Sequence, residues 1–176
     1  ADEETGKILL EKNKKQVVPI ASLTKLMAAL IASESMKLDS KITVSANAAG
    51  TYGDSGHLEA GERLTLSNLL HALLMESSND AAQVIAEEYG EKDFITQMNR
   101  KAKVLGMNHT RFDDASGLSA QNISTAEDLF ILINHIHTNY PAIFDISKTQ
   151  TWTVSATKTN KLHVFHNYNM FAADPR

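Results

Sequence analysis

Ser22-Leu23-Thr24-Lys25 places a hydroxyl three residues before an amine. A serine hydroxyl is a weak nucleophile until a neighbouring base removes its proton. Residues three apart on a helix share one face, so the Lys25 amine can reach the Ser22 hydroxyl. Lysine is a base only when neutral, and both burial and the positive end of a helix favour that form. The motif therefore predicts acyl transfer to Ser22, with backbone N–H groups of the helix start stabilising the oxyanion.

The Ser-x-x-Lys pattern is weak by itself, because two common residues at a fixed spacing occur by chance about once in a chain of this length. A second copy, Ser155-Ala156-Thr157-Lys158, lies in a β-branched segment. On a strand, positions i and i+3 point to opposite faces. We interpret this second copy as an exposed strand edge or loop.

Ser77-Ser78-Asn79 is a second candidate motif, placed between two helical stretches. The Ser77 hydroxyl can pass a proton to a leaving amine, and the Asn79 amide can hold both the lysine and a substrate. The alternative role for both residues is helix capping, which Ser and Asn favour. The same pattern also occurs at Ser45-Ala46-Asn47, so its spacing alone does not decide between the roles.

The apolar pattern predicts the elements that position these motifs. A buried helix begins near Ser22, and a second helix begins at a cap on Thr65 or Ser67. The region between them, 41–64, is predicted to be a loop with a short strand. The order of strand, helices and strands predicts one α+β domain over residues 1–176. Further predicted helices cover 81–86, 94–105 (ending at Gly106) and 129–136 (after the capping box at 124–127), and predicted strands cover 7–11, 151–154 and 162–165.

Composition excludes several classes of function. The net charge of -4 argues against nucleic acid as a partner, since its phosphates call for a basic face. The absence of cysteine excludes disulfides and thiolate chemistry. The histidines show no His-Glu-x-x-His frame, so neither a metal nor another cofactor is expected. The chain has no apolar run of the roughly 18 residues that a membrane span needs. Its opening residues Ala1-Asp2-Glu3-Glu4 are not a signal peptide, which says nothing about location because signal peptides are removed from mature proteins.

Ser-x-x-Lys followed by Ser-x-Asn belongs to the signature of penicillin-binding proteins and class A β-lactamases. Almost the whole chain resembles the low-molecular-mass D-Ala-D-Ala carboxypeptidases within that group. The segments that carry the resemblance are 19–27 (PIASLTKLM), 69–82 (LLHALLMESSNDAA), 105–107 (LGM), 110–112 (TRF), 117–119 (GLS) and 124–129 (STAEDL). The resemblance implies a β-lactamase/D,D-peptidase-like α+β fold, an antiparallel sheet with a large helical part.

The resemblance also implies a function and a set of site residues. Ser22, Lys25 and Ser77 are expected to be catalytic, and Asn79 to bind substrate. The implied activity is hydrolysis of D-Ala-D-Ala in peptidoglycan stem peptides through an acyl-enzyme that β-lactam antibiotics trap, outside the cytoplasm. Asp128 either positions this site through hydrogen bonds, as the resemblance implies, or favours the first turn of its helix.

The chain departs from the family at its third motif. Family members carry Lys-Thr-Gly on a strand that lines the cleft, whereas Lys158-Thr159-Asn160 lacks the glycine. Residues 165–169 resemble the segment that precedes the motif. We therefore expect a chain truncated at both ends, inactive by itself, whose sheet a companion segment completes. Membrane association through a region beyond Arg176 is left open.

Three other functions are left open. The segment Gly117-Leu118-Ser119 slightly favours a D,D-endopeptidase of the same family. A class A β-lactamase would carry a Glu-x-x-x-Asn frame after Asn79, and the sequence has none. A penicillin-binding sensor that stays acylated is the non-enzymatic alternative.

His57 in its glycine-containing loop could line the cleft, although a loop without a role in the site is the simpler interpretation.

Overall fold

The computed structural model describes residues 2, 5, 7–53, 56–170 and 172. Helices dominate this part of the chain, and its strands are short. The helices are α1 (Thr24–Ser35), α2 (Ala46–Ala49), α3 (Leu66–Met75), α4 (Asn79–Tyr89), α5 (Glu91–Leu105), α6 (Ala126–Asn139) and α7 (Pro141–Lys148), and the strands are β1 (Val18–Pro19), β2 (Lys41–Thr43), β3 (Arg63–Thr65), β4 (Ile123–Ser124), β5 (Thr151–Ser155) and β6 (Leu162–His166).

The helix α1 forms the centre of the core, as its composition predicts. It is rich in Ala, Leu and Met, which favour helix, and it is apolar on nearly every face. All residues from Met27 to Ala32 are buried. The helices α3, α4, α5 and α6 pack around it, so its position is fixed from several sides.

Local caps set where the surrounding helices begin and end. Thr65, rather than Ser67, caps α3 by accepting a hydrogen bond from Asn68 N at 3.2 Å. Gly106 ends α5 in the left-handed conformation, as predicted. Thr125 caps α6, so the capping box begins one residue later than its predicted start.

The strands form three separate antiparallel pairs in the described part of the chain: β1 with β4, β2 with β3, and β5 with β6. The α+β class and the predicted strands around 151–154 and 162–165 are confirmed. Region 41–64 is wrong as a loop with one short strand, because it contains β2 and the start of β3. Pairing between β1 and β4 brings the chain before Ser22 beside the chain after Asn122.

The predicted strand at 7–11 is wrong. The segment is irregular, and Leu9 and Leu10 are 69% and 87% exposed. A strand is stable only when its backbone N–H and C=O groups are paired, and no described strand pairs with this one. β-Propensity read from sequence cannot supply that partner.

The β5–β6 hairpin is attached to the helical part by side-chain and backbone contacts. Trp152 stacks on His71 of α3 with ring centroids 3.8 Å apart, and its indole N–H donates to Asn68 Oδ1 at 3.0 Å. Tyr168 N donates to Met75 O at 2.9 Å. These contacts fix the end of β6 beside the C-terminal end of α3.

A buried hydrogen-bonded pair, His163 and Glu62, also links this hairpin to the chain before β3. His163 Nε2 lies 3.0 Å from both carboxylate oxygens of Glu62, and the two residues are 5% and 0% exposed. Glu62 Oε2 also accepts a hydrogen bond from Glu59 N. The carboxylate is thus satisfied inside the protein, as a buried acid must be.

We predict that His163→Ala lowers the free energy of unfolding by about 3–5 kcal/mol, because it leaves a buried carboxylate without its partner. His166→Ala is the matched control, since His166 lies on the same strand with its side chain exposed. Its unfolding midpoint should stay close to that of the wild type. Urea unfolding followed by circular dichroism measures both, and equal effects of the two substitutions would contradict the prediction.

Candidate active site

Ser22 lies in a 3-10 turn, Ala21–Leu23, directly before α1. It therefore precedes the cap of α1 instead of serving as that cap. In a 3-10 turn, residues i and i+3 are nearly eclipsed, so the hydroxyl and the lysine still share one face. Ser22 is exposed, and its backbone N–H has no hydrogen-bond acceptor among the described residues. A free N–H beside an exposed hydroxyl suits the stabilisation of an oxyanion.

The Lys25 amine is the centre of the site. Lys25 is only 2% exposed. Its Nζ donates to Ser22 Oγ at 3.1 Å, to Asn79 Oδ1 at 2.8 Å and to the Ser116 carbonyl at 2.7 Å. Three acceptors match the three N–H donors of an ammonium group.

Burial lowers the pKa of Lys25 to about 8, although the negative charge of Asp114 acts in the opposite direction. A lysine with that pKa is neutral in roughly a tenth of molecules at pH 7, far more often than an exposed lysine. It can therefore accept a proton from Ser22 Oγ, its neighbour. The predicted pairing of Ser22 with Lys25 is present in the structure.

Ser77 lies at the junction of α3 and α4 with a left-handed φ of 59°. Its hydroxyl makes no hydrogen bond to the described residues. Ser77 lines a small cavity of about 180 Å³, whose other lining residues are Ser22, Leu23, Lys25, Leu26, Leu73 and Leu74. Ser78 is the cap of α4, accepting a hydrogen bond from Ala81 N at 3.0 Å. The capping role considered for Ser77 and Asn79 therefore belongs to Ser78.

Asn79 uses both ends of its amide. Oδ1 accepts from Lys25, and Nδ2 donates to the Tyr52 carbonyl at 2.8 Å. This orientation places the oxygen toward the cation, as the network requires. Gly53 packs close to the same amide, since a Cβ there would lie 2.7 Å from Asn79 Nδ2. The loop before β3 thus fixes the side chain that holds the lysine.

The loop after α5 supplies a part of the site that the sequence motifs did not identify. The carboxylate of Asp114 accepts hydrogen bonds from the backbone N–H groups of Ser116 at 2.7 Å, Gly117 at 2.5 Å and Ser119 at 2.5 Å. Burial alone would raise the pKa of Asp114, but these hydrogen bonds outweigh it and lower the pKa. The Asp-x-Ser-Gly string is typical of an Asx turn and could have indicated this loop.

Asn122, which is fully buried, joins this loop to the strand before the nucleophile. Its Oδ1 accepts from Asp113 N at 2.8 Å, and its Nδ2 donates to Ser119 O at 3.2 Å. Its carbonyl accepts from Ile20 N at 3.0 Å. The loop that carries Ser116 is therefore held in register with the turn that carries Ser22.

Several residues considered from the sequence lie outside this network. Asp128 accepts from His109 N at 2.8 Å and from Thr110 Oγ1 at 2.7 Å, and it makes no hydrogen bond to Ser22 or Lys25. It holds the turn after α5 and does not contact the lysine. His57 contacts Lys161 through its carbonyl oxygen.

The duplicate motifs have structural roles. Ser155 is exposed at the end of β5, and Lys158 lies in the hairpin turn with a φ of 81°. The Lys158-Thr159-Asn160 stretch is exposed in this turn, which bonds to β3 through Arg63. Ser45 caps α2 by accepting from Ala48 N at 2.9 Å.

Comparison with solved structures identifies the class of protein to which this fold belongs. The Streptomyces K15 DD-transpeptidase matches with a TM-score of 0.89 at 28% identity, covering 98% of this chain and 73% of that chain. A D-alanyl-D-alanine carboxypeptidase of Mycobacterium tuberculosis matches with a TM-score of 0.90 at 26% identity, covering 99% and 67%. The β-lactamase/D,D-peptidase-like fold is confirmed.

The family model for D-alanyl-D-alanine carboxypeptidase matches residues 1–175, and the chain belongs to that family. Curated relatives include D-alanyl-D-alanine endopeptidases of Pseudomonas aeruginosa, 36% identical over 172 residues, and of Escherichia coli, 35% identical over 182 residues. Each alignment covers 96% of this chain but only 55% and 58% of the relative. The chain thus spans little more than half their length. Among the described residues, no helix has the length and apolar character of a membrane span.

If Ser22 is the nucleophile, as we propose below, Gly117→Ala should slow its acylation by a fluorescent penicillin by about 10²-fold, as expected for a backbone displacement near 1 Å. A Cβ at Gly117 would collide with the Ala21 carbonyl and lie 3.0 Å from Ser22 N. Gly61→Ala is the control, since Gly61 has the same φ of 91° and nothing within 4 Å of a Cβ. Both variants place a Cβ at the same positive φ, so similar rates in the two would contradict a specific role for the close approach.

Proposed function

We propose that the protein is a serine-type D-Ala-D-Ala carboxypeptidase that acts on peptidoglycan stem peptides, with Ser22, Lys25 and Ser77 as catalytic residues. The observation that carries the proposal is the 3.1 Å contact between Lys25 Nζ and Ser22 Oγ, made by a buried amine with a lowered pKa. The contact joins a nucleophile to a base that is available near neutral pH.

In the first half of the proposed reaction, neutral Lys25 takes the Ser22 proton while Oγ attacks the carbonyl carbon of the D-alanyl bond. The oxyanion forms beside the free N–H of Ser22. The tetrahedral intermediate collapses by breaking the C–N bond, and the departing amine takes a proton from Ser77, which lines the same cavity as Lys25. The Lys25 ammonium returns a proton to Ser77 and becomes neutral again. Asn79 holds Lys25 and binds the substrate through its amide. The products are an acyl-enzyme on Ser22 and D-alanine.

In the second half, water attacks the acyl carbon and the ester bond to Ser22 breaks. Neutral Lys25 takes a proton from this water and passes it to the departing Ser22 oxygen, which restores the free enzyme. A β-lactam enters the first half equally well, because its strained amide mimics the D-alanyl bond. Its ring-opened acyl group would then remain on Ser22.

A D,D-endopeptidase is the second candidate, favoured by the endopeptidase names of the two relatives at 36% and 35% identity. It would use the same chemistry on a cross-link instead of a terminal bond. Hydrolysis rates of a pentapeptide ending in D-Ala-D-Ala and of a cross-linked muropeptide dimer distinguish the two activities. We further propose an extracytoplasmic location, where peptidoglycan lies, and a single catalytic domain that includes residues 1–176.

We predict that a fluorescent penicillin labels the native protein covalently at Ser22. Peptide mapping by mass spectrometry locates the adduct. Ser22→Ala should abolish the label, while Ser155→Ala, which alters the duplicate motif on β5, should leave it unchanged. A label on Ser77 or Ser155 with none on Ser22 would overturn the assignment of the nucleophile.

We predict that Lys25→Arg lowers the acylation rate by about 10² to 10⁴, the usual contribution of a general base. Arginine keeps the positive charge but does not deprotonate, so it cannot accept the serine proton. Lys158→Arg in the duplicate motif is the control and should react at the wild-type rate. Near-normal acylation of a folded Lys25→Arg protein would make Lys25 a structural cation only.

A further inference from the structure

The Ser116 carbonyl contacts the lysine with a short hydrogen bond, 2.7 Å to Lys25 Nζ. A backbone carbonyl has no charge of its own, and its position depends on the loop that carries it. Asp114 determines that loop conformation, because its Oδ1 accepts from Ser116 N, Ser116 Oγ and Gly117 N. One carboxylate thus lies two residues from the carbonyl that the amine contacts.

Other acidic groups on the elements around Lys25 have partners elsewhere. At the junction of α3 and α4, Glu76 accepts from His166 N and Asp80 from Leu58 N. In the loop, the carboxylate of Asp113 accepts from Ser119 Oγ and pairs with Arg111, as the side-chain contacts show. Asp114 is the group whose charge acts on Lys25 among the described residues.

We propose that Asp114 is a positioning residue for the base: its carboxylate fixes the Ser116 carbonyl against Lys25 Nζ, and its negative charge stabilises the ammonium form. The inference rests on the proposed function, in which Lys25 must lose its proton before it accepts one from Ser22. Asp114 therefore raises the pH at which the site becomes active.

The direction of this effect follows from the opposing forces on Lys25. Burial lowers the pKa of the amine, and the Asp114 charge raises it. Removing that charge leaves burial unopposed, so the pKa of Lys25 falls further. Because acylation requires neutral Lys25, the acidic limb of its pH–rate profile must move to lower pH. A carboxylate that only braced the loop would change the rate without moving the limb.

The test is the pH dependence of the second-order rate at which the native protein reacts with a fluorescent penicillin. We expect an acidic limb with a midpoint near the Lys25 pKa of about 8 in the wild type. Asp114→Asn should move it down by about half a unit, less than the 1–3 units of a directly contacting charge. The asparagine Oδ1 can still accept from Ser116 N and Gly117 N, so the loop keeps hydrogen bonds near Lys25.

Asp113→Asn is the matched control, since it removes a neighbouring charge whose carboxylate contacts Ser119 and Arg111 instead. Its limb should coincide with that of the wild type. Asp114→Ser is a second variant without the charge, with a side chain that also suits such turns. Circular dichroism establishes which variants fold.

The outcomes separate this inference from the proposed function. An unchanged midpoint in a folded Asp114 variant would overturn the inference, as would an equal shift in Asp113→Asn. Loss of folding in both Asp114 variants would assign the residue to folding and overturn it too. Absence of any penicillin adduct on Ser22 of the wild type would instead refute the proposed function.

Discussion

A lysine amine buried among three acceptors is the interaction on which the rest of the site depends. Each acceptor comes from a different segment: the turn before α1, the start of α4 and the loop after α5. A charged amine without these partners would be expensive to bury. The site therefore forms only when the helical core has brought all three segments together, which couples the base to the packing of α1.

The same arrangement explains how one residue can be both stable and reactive. Burial weakens the hold of Lys25 on its proton and lowers its pKa, and the negative charge of Asp114 acts in the opposite direction. The two opposing effects partly cancel, so the pKa of Lys25 lies close to physiological pH. A base is most effective when its pKa lies near the operating pH. Burial and the opposing Asp114 charge together place the pKa of Lys25 in that range.

The sequence was informative where local rules decide the structure. The apolar composition of α1 predicted a buried helix, and the i, i+3 spacing predicted the contact between Ser22 and Lys25, which is present. The segment at 7–11 shows the limit, since apolar β-propensity does not create a partner strand. Asp114 was missed because its Asp-x-Ser-Gly string indicates only a turn, and the string does not show that the turn holds a carbonyl against Lys25.

Ala21 has a left-handed φ of 45°, and the next residue is the proposed nucleophile. A non-glycine residue in that region carries strain on the order of 1–3 kcal/mol, retained only where the surroundings impose it. Here the packing of Gly117 against the Ala21 carbonyl helps to impose it. Selection for stability and selection for a rigid reactive turn therefore oppose each other at position 21. A variant with glycine at position 21 would lose this strain and gain stability. Its backbone would also be freer at the point where the chemistry requires a fixed approach angle.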